Sequence, residues 1–334
     1  MSVDALLTAR GVAVSFDGGG GRRIEAVRGV DLDVSRGEVV AVVGESGSGK
    51  SVTMLATLGL LGPGAVASGS IRFDGEELIG AHPGRLRRIR GSRIGTVFQD
   101  PLTSLNPAHT IGRQLAEAVL AHHPRDKDAA RRKAAELLEL VSITDVGRRL
   151  RSYPHELSGG MRQRVMIGMA LANDPDVLIA DEPTTALDVT IQAQILDVLA
   201  NVQRERHLAV LLVTHDLGVV AGMAQRVYVM YAGRVVEHGP VVDVFHRSNH
   251  PYTRGLLACL PRLDGRIDLQ PIGGAPPAAG RLPKGCAFHV RCPLAEARCR
   301  TEVPELRAFD ATAAACHLAP LSPSGVPVTV EVAP

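Results

Sequence analysis

Leu157-Ser158-Gly159-Gly160-Met161-Arg162-Gln163-Arg164 is the stretch on which the reading of this chain turns. A serine followed by two glycines opens a helix. Ser158 can cap that helix, and Gly159 and Gly160 let an anion approach the backbone N–H groups of its first turn. Upstream, Gly44-Glu45-Ser46-Gly47-Ser48-Gly49-Lys50-Ser51 fits the pattern G-x-x-x-x-G-K-S, a second anion-binding loop. It lies between a run at 38–43 that reads as a buried parallel strand and a helix expected over 51–61. Downstream, Val177-Leu178-Ile179-Ala180 is an apolar strand that ends in the carboxylates Asp181 and Glu182.

Elsewhere strands alternate with helices, which argues an α/β fold with a largely parallel sheet. Val12-Ala13-Val14-Ser15-Phe16 and Val30-Asp31-Leu32-Asp33-Val34 alternate with period two and read as strands, with the glycines at 18–21 as a turn or mobile tip. Further strands are expected at 70–73, 93–98 and 209–214. Between about 100 and 172 the period is helical. Residues 128–141 place leucines at 137, 138 and 140 opposite charges, and 160–172 continues the helix that Ser158 opens. Another helix is expected near 188–204. After Leu260, interleaved prolines and glycines read as a linker over 261–285. Residues 286–319 hold four of the five cysteines, and a Pro-rich tail at 320–334 is expected to be loosely ordered.

Composition narrows the function classes. The 334 residues are 45% hydrophobic and 22% charged, with a net charge of +2. That near-balance gives no footing for a nucleic-acid partner. Aromatics at 3%, with no Trp, argue against a base-stacking platform. No apolar run approaches the roughly 20 residues that cross a bilayer. Met1-Ser2-Val3-Asp4 lacks a signal-peptide pattern. The expected location is the cytoplasm, with reduced thiols; service to a membrane would require docking to a separate membrane partner.

The anion loop supplies chemistry that the strand ends complete. Its glycines turn backbone N–H groups around phosphate oxygens, Lys50 suits the β- and γ-phosphates, and Ser51 suits Mg²⁺. Asp181 suits Mg²⁺ and Glu182 the attacking water. His215, after the strand at 209–214, and Gln99, after the strand at 93–98, are expected at the same sheet edge. Two anion sites far apart in sequence are used most simply when one nucleotide is held by loops from two subunits.

In this order and spacing, the chain from about residue 5 to 260 resembles the ATP-binding-cassette (ABC) ATPases. Residues 44–51 resemble the Walker A loop, Gln99 the Q-loop and 157–163 the signature. Residues 177–182 resemble the Walker B strand, Ala186-Leu187-Asp188 the D-loop and His215 the switch histidine. The resemblance implies a P-loop NTPase fold with a RecA-like core, an antiparallel β subdomain and a helical subdomain at about 100–172. The ATPase domain would span 1–260, followed by a small Cys-rich domain. It further implies that two such domains close head to tail over two ATP molecules. Each ATP would touch 44–51 of one domain and Leu157, Ser158, Gly159, Gly160, Gln163 and Asp188 of the other. Gln99, Glu182 and His215 would serve hydrolysis, with Ser51, Gln99 and Asp181 on Mg²⁺. Phe16 stands where the family stacks an aromatic ring on adenine; a core phenylalanine is the competing reading.

Within the family, Gln99-Asp100-Pro101-Leu102-Thr103-Ser104-Leu105-Asn106-Pro107 and His250-Pro251-Tyr252-Thr253 resemble ATP-binding subunits of dipeptide and oligopeptide importers, a type that also imports nickel. The implied partners are a second ATPase, a sister chain or a second copy, together with two membrane permease subunits. An external binding protein would deliver the solute, and the chain would sit on the cytoplasmic face of the membrane. Peptide is the favoured solute, with nickel or another small solute open. A soluble, non-transport ABC ATPase is the rival of a different class. A single cassette and the short interval between the loop and the signature speak against versions that act on ribosomes or DNA. No Asn-Lys-x-Asp motif follows the loop, which speaks against a GTPase.

Cys286, Cys292, Cys299 and Cys316 are spaced C-x₅-C-x₆-C-x₁₆-C, which fits neither a zinc knuckle nor a ferredoxin run. Spacing alone leaves a metal site and buried free thiols level. The resemblance to importer ATPases with such a tail implies a [4Fe–4S] cluster on these four cysteines. Cys259 reads as a buried structural thiol.

Overall fold

The computed structural model describes residues 5–99, 104–124, 126–185, 187–260 and 272–322. Residues 100–103 after Gln99, Ala186 of the expected D-loop, 261–271 of the expected linker and 323–334 of the expected tail lie outside the described residues.

In chain order the strands are β1 (Ala5–Asp17), β2 (Arg23–Ser35), β3 (Val39–Val43), β4 (Val66–Phe73), β5 (Glu76–Glu77), β6 (Ile94–Val97), β7 (Val177–Asp181), β8 (Ala209–Thr214), β9 (Arg226–Tyr231), β10 (Arg234–Pro240), β11 (Arg307–Phe309) and β12 (Thr312–Ala314). The helices are α1 (Lys50–Thr57), α2 (Pro83–Ile89), α3 (Ile111–Leu120), α4 (Lys127–Leu140), α5 (Val146–Arg149), α6 (Gly159–Ala170), α7 (Val189–Arg206), α8 (Leu217–Met223), α9 (Val241–Arg247) and α10 (Pro251–Ala258). None among the described residues is long and apolar enough to cross a membrane. The chain forms two compact units.

The first unit comprises Met1–Leu7, Val34–Val39 and Phe73–Val213. Its strands run parallel in the order β8-β7-β6, with Ile94 beside Val177 and Asp181 beside Val213. All five residues of β7 are buried. An unbroken apolar run is what a strand covered on both faces requires. Parallel pairing brings the C-terminal ends of β6 and β7 to one edge, where Gln99 and Glu182 meet. The helices between these strands bury one stripe each: Ile111, Leu115 and Val119 on α3, and Ala130, Ala134, Leu137 and Leu138 on α4. Asp126 starts α4 by accepting the Ala129 N–H at 2.8 Å.

The second unit comprises Thr8–Asp33, Val40–Arg72 and Thr214–Pro334. One sheet holds β2, β1 and β4 in that order. In another, β3 runs parallel to β9, with Val40 beside Arg226 and Val43 beside Val229. β9 turns back through Ala232 and Gly233 into antiparallel β10, which β12 and then β11 extend. Sequence patterning gives no sign of β9–β12 or of α8–α10. Their core joins Ala41, Val43, Val227, Val229, Tyr231, Tyr252 and Phe288. Phe288, from among the cysteines, therefore packs in the same cluster as β3, the strand that leads into the 44–51 loop. The helix expected over 51–61 stops at Thr57, ahead of Gly59 with its left-handed backbone.

Candidate functional site

In the second unit, β3 delivers the chain into the 44–51 loop and α1 leaves from it. Two glycines are obligatory here. Gly44 has φ 151°, and a Cβ there would collide with the Met230 carbonyl oxygen. Gly49 caps α1 at φ 102°, and its Cβ would stand 2.8 Å from the Ala26 carbonyl oxygen. Lys50 is the first residue of α1, and the residue is only 7% exposed. Its Nζ donates to the carbonyls of Gly44 at 2.7 Å and Glu45 at 3.0 Å, and stands 3.5 Å from Ser48 Oγ. The ammonium thus curls over the loop from which its helix departs. Ser48 is buried, while Ser46, Gly47 and Ser51 are exposed. The Ser48 carbonyl accepts from Gly233 N–H at 2.9 Å. Phe16 is half-buried near the end of β1, and His215 is exposed. Asp216 begins α8 by accepting the N–H groups of Gly218 at 2.8 Å and Val219 at 3.2 Å.

In the first unit, Asp181 closes β7 and is 5% exposed. Glu182 follows in a left-handed conformation, φ 47°, with its N–H on the Val213 carbonyl at 2.8 Å. A non-glycine residue pays about 1–2 kcal/mol for that conformation. Such strain is kept where the surroundings hold it. Gln99 Nε2 donates to Glu182 Oε2 at 3.0 Å, and Thr185 Oγ1 donates to the same oxygen at 2.8 Å. Gln99 and Glu182, expected together, are in contact.

The signature stretch divides by burial. Leu157 and Gln163 are 4% and 2% exposed, and Gly160 is buried. A Cβ on Gly160 would collide with the Ile191 side chain, so this glycine lets α6 lie close to α7. Ser158 is exposed and caps α6, accepting the Met161 N–H at 3.3 Å; Gly159 is half-exposed. Asp188 is exposed and caps α7, accepting the Ile191 N–H at 3.0 Å.

Three functional contacts escape sequence reasoning. Thr185 carried only the weak signal of a hydroxyl three residues past Glu182. Tyr252 lies in a motif read as a family mark, yet its Oη accepts the Glu45 N–H at 2.8 Å, inside the 44–51 loop. Arg291 gave no signal at all; its guanidinium forks onto the Glu45 carboxylate at 2.6 and 2.9 Å.

The [4Fe–4S] cluster expected on Cys286, Cys292, Cys299 and Cys316 is corrected. Among the described residues, no group of three or more His, Cys, Asp or Glu is placed to hold a metal ion. Cys259, expected to be buried, is exposed at the end of α10, and none of the other four thiols is in a disulfide. The physical reason is their surroundings. Cys286 and Cys292 pack against the Tyr231, Tyr252 and Phe288 cluster, and Cys316 sits among Ala314, Leu318, Ala319 and Phe309. Burial pushes Cys292 and Cys316 up to about 11, above the ordinary thiol. They behave as small apolar side chains.

Comparison with known proteins fits this geometry. The ABC transporter family model matches residues 27–185, and the model for the C-terminal region of oligopeptide/dipeptide transporters matches 236–299. A dimeric ATP-binding cassette solved in a post-hydrolysis state with ADP and Pi superposes with a TM-score of 0.63 at 30% identity, covering 70% of this chain and 98% of that one. The fold and site define a P-loop ATPase of the ABC type. An oligopeptide transport ATP-binding protein of Mycobacterium tuberculosis is 54% identical over 90% of this chain, which spans 50% of that relative's length. A dipeptide transport ATP-binding protein of Bacillus subtilis is 51% identical over 87% of this chain and 88% of its own. The chain belongs to the ABC transporter ATP-binding proteins, in the branch of the oligopeptide and dipeptide transporters. No family model or relative points to an iron–sulfur group, in agreement with the buried thiols.

Proposed function

We propose that the chain binds ATP with Mg²⁺ in the 44–51 loop and hydrolyses it within a head-to-tail pair of ATPase domains. Closure of that pair drives import of dipeptides and oligopeptides through two separate membrane permease subunits, with an extracytoplasmic binding protein as solute donor. The pair joins this chain to a sister ATPase, and the chain rides on the cytoplasmic face of the membrane. The ATPase domain is assigned to 1–260.

The observation that supports this most is the coexistence of two anion sites of different build. One is the glycine-shaped loop with Lys50 above it. The other is the exposed, Ser158-capped start of α6, where the N–H groups of a helix N-terminus suit phosphate oxygens. One triphosphate fills the loop, so the second site serves a neighbour's nucleotide.

Within that reading, Lys50 leaves the Gly44 and Glu45 carbonyls for the β- and γ-phosphates. Glu182 accepts a proton from the attacking water, held in place by Gln99 and Thr185, whose donors converge on Oε2. Ser51, Asp181 and Gln99 carry the hard oxygen donors that would hold Mg²⁺, which would supply charge neutralisation on the phosphates. His215 contacts the γ-phosphate, and Phe16 stacks on adenine. Ser158→Arg tests the pair. ATP binding to the loop should persist while hydrolysis is abolished, measured by nucleotide titration and by phosphate release. Unchanged turnover would remove the head-to-tail model. Solute class is read by reconstituting the chain with its permeases and binding protein: stimulation of ATP turnover by peptides is expected, and indifference to peptides would exclude them.

A further inference from the structure

Glu45, the second residue of the phosphate loop, is held at three points. Its carbonyl accepts from Lys50 Nζ at 3.0 Å, its N–H donates to Tyr252 Oη at 2.8 Å, and its carboxylate takes the Arg291 fork. Two of the three holds come from far along the chain. The Arg291 side chain is 3% exposed and that of Glu45 26%. Arg291 has a place for every donor it owns. Nε donates to the Gly273 carbonyl at 2.9 Å, while Nη1 reaches Tyr231 Oη at 3.3 Å and Nη2 the Ile272 carbonyl at 3.4 Å, besides the two bonds to Glu45. With those two, all five N–H groups have acceptors. The guanidinium carbon also lies 5.8 and 5.9 Å from the ring centres of Tyr231 and Phe288.

A carboxylate in a loop that receives a polyanion works against binding unless a cation neutralises it. The bidentate, charge-assisted pair with Arg291 does this and also fixes the direction of the side chain. We propose that Arg291 is a positioning residue for nucleotide binding: by neutralising and orienting Glu45 it keeps the 44–51 loop ready for triphosphate, so that occupancy of the loop depends on the cysteine-bearing region being seated. This rests on the reading of 44–51 as an ATP loop. It gives that region a use that needs no metal. The contact transmits whatever displaces the region to the nucleotide.

The test is calorimetric titration of the full chain with ATP and Mg²⁺, beside thermal unfolding without nucleotide. Arg291→Ala leaves Glu45 charged and uncompensated, and should weaken ATP binding about tenfold. Arg291→Lys, a point charge without the fork, should fall between. Glu45→Gln alone should bind ATP no more weakly than the parent, because the cation then faces the phosphates directly. Combining Arg291→Ala with Glu45→Gln should return affinity to within about threefold of the parent, since a neutral amide needs no counter-ion. A strut that only fastens the region would make the double variant at least as weak as Arg291→Ala. That outcome, or unchanged affinity in Arg291→Ala, overturns the proposal. Should Arg291→Ala fail to fold, Arg291→Lys and Glu45→Gln carry the decision: weaker binding in Glu45→Gln, or parental binding in Arg291→Lys, overturns it. If the parent chain binds no ATP, the reading of the loop fails first and this inference with it.

Discussion

The glycine-rich loop at 44–51 and the cysteine region at 286–316 look alike as sequence. Each packs several reactive-looking residues into a short span, and each resembles a family feature. They differ in what fixes them. The loop is defined by backbone: Gly44 and Gly49 adopt angles that side chains resist, and neighbouring carbonyls occupy the space a Cβ would need. The cysteine region is defined by side chains, and these went to apolar company: Cys286 and Cys292 against the aromatic cluster, Cys316 against alanines and Leu318. A motif written in backbone sterics carries its meaning with it. A cluster of thiols means nothing until burial and mutual placement are known.

The contrast breaks most visibly at the chemistry. Glu182→Gln keeps the left-handed turn and the hydrogen-bond partners but removes the base. ATP binding should persist while turnover drops about 10³-fold, with closed dimers accumulating on a sizing column. Normal hydrolysis by the purified variant would take Glu182 out of the mechanism. Next in size is Gly44→Ala, which forces a methyl group onto the Met230 carbonyl. It should cost about 3 kcal/mol in urea unfolding and lose ATP binding. A variant as stable as the parent would show that the loop is not sterically fixed.

The strand pair beside the cysteine region is sensitive to pH. Glu237 on β10 pairs with Ala314 of β12 and is 0% exposed. It accepts the N–H groups of Asn249 and, at 3.2 Å, His250. Burial raises its carboxyl from 4.5 to about 7. The folded state therefore holds a proton that the unfolded state releases, so stability from this group is complete below about 4.5 and declines as pH rises towards 7. Glu237→Gln should remove about 3 kcal/mol of that decline between pH 4.5 and 8, read as the difference from the parent in denaturant titrations. Parallel pH profiles would refute it. His250 has the opposite sign. Burial lowers it to about 3, so its contribution is lost as pH falls below 6.5.

The smallest effect is expected in the cysteines. Cys316→Ala trades a buried thiol for a methyl group and should cost about 1 kcal/mol, with ATP turnover unchanged. Loss of stoichiometric iron and collapse of the fold in this variant, from anaerobic material, would restore a cluster.

Part of this protein was legible from residues alone. β3, β7, β8, the 44–51 loop and the start of α6 were read correctly because their signals are local: unbroken apolar runs, glycines where the backbone must turn, a capping serine. Their order along the chain also fixed the family. Strands β9 to β12 and helices α8 to α10 were not legible, because short apolar runs such as Arg226–Tyr231 do not declare whether they will be strand or helix. Gln99 beside Glu182 could be expected from parallel strands ending at one edge. Thr185 on the same oxygen could not, since it depends on the turn that Glu182 makes.

The sequence by itself determined the class of the protein, the backbone bend of its 44–51 loop and the carboxylates at the end of β7, because these follow from bond rotation and short-range periodicity. Only the tertiary structure decided that Cys299 and Cys316 are buried thiols while Cys259 is exposed, and that Arg291 grips Glu45. Those facts belong to residues distant in the chain, and the energy of burying a thiol or pairing a guanidinium is set by neighbours that no local pattern names.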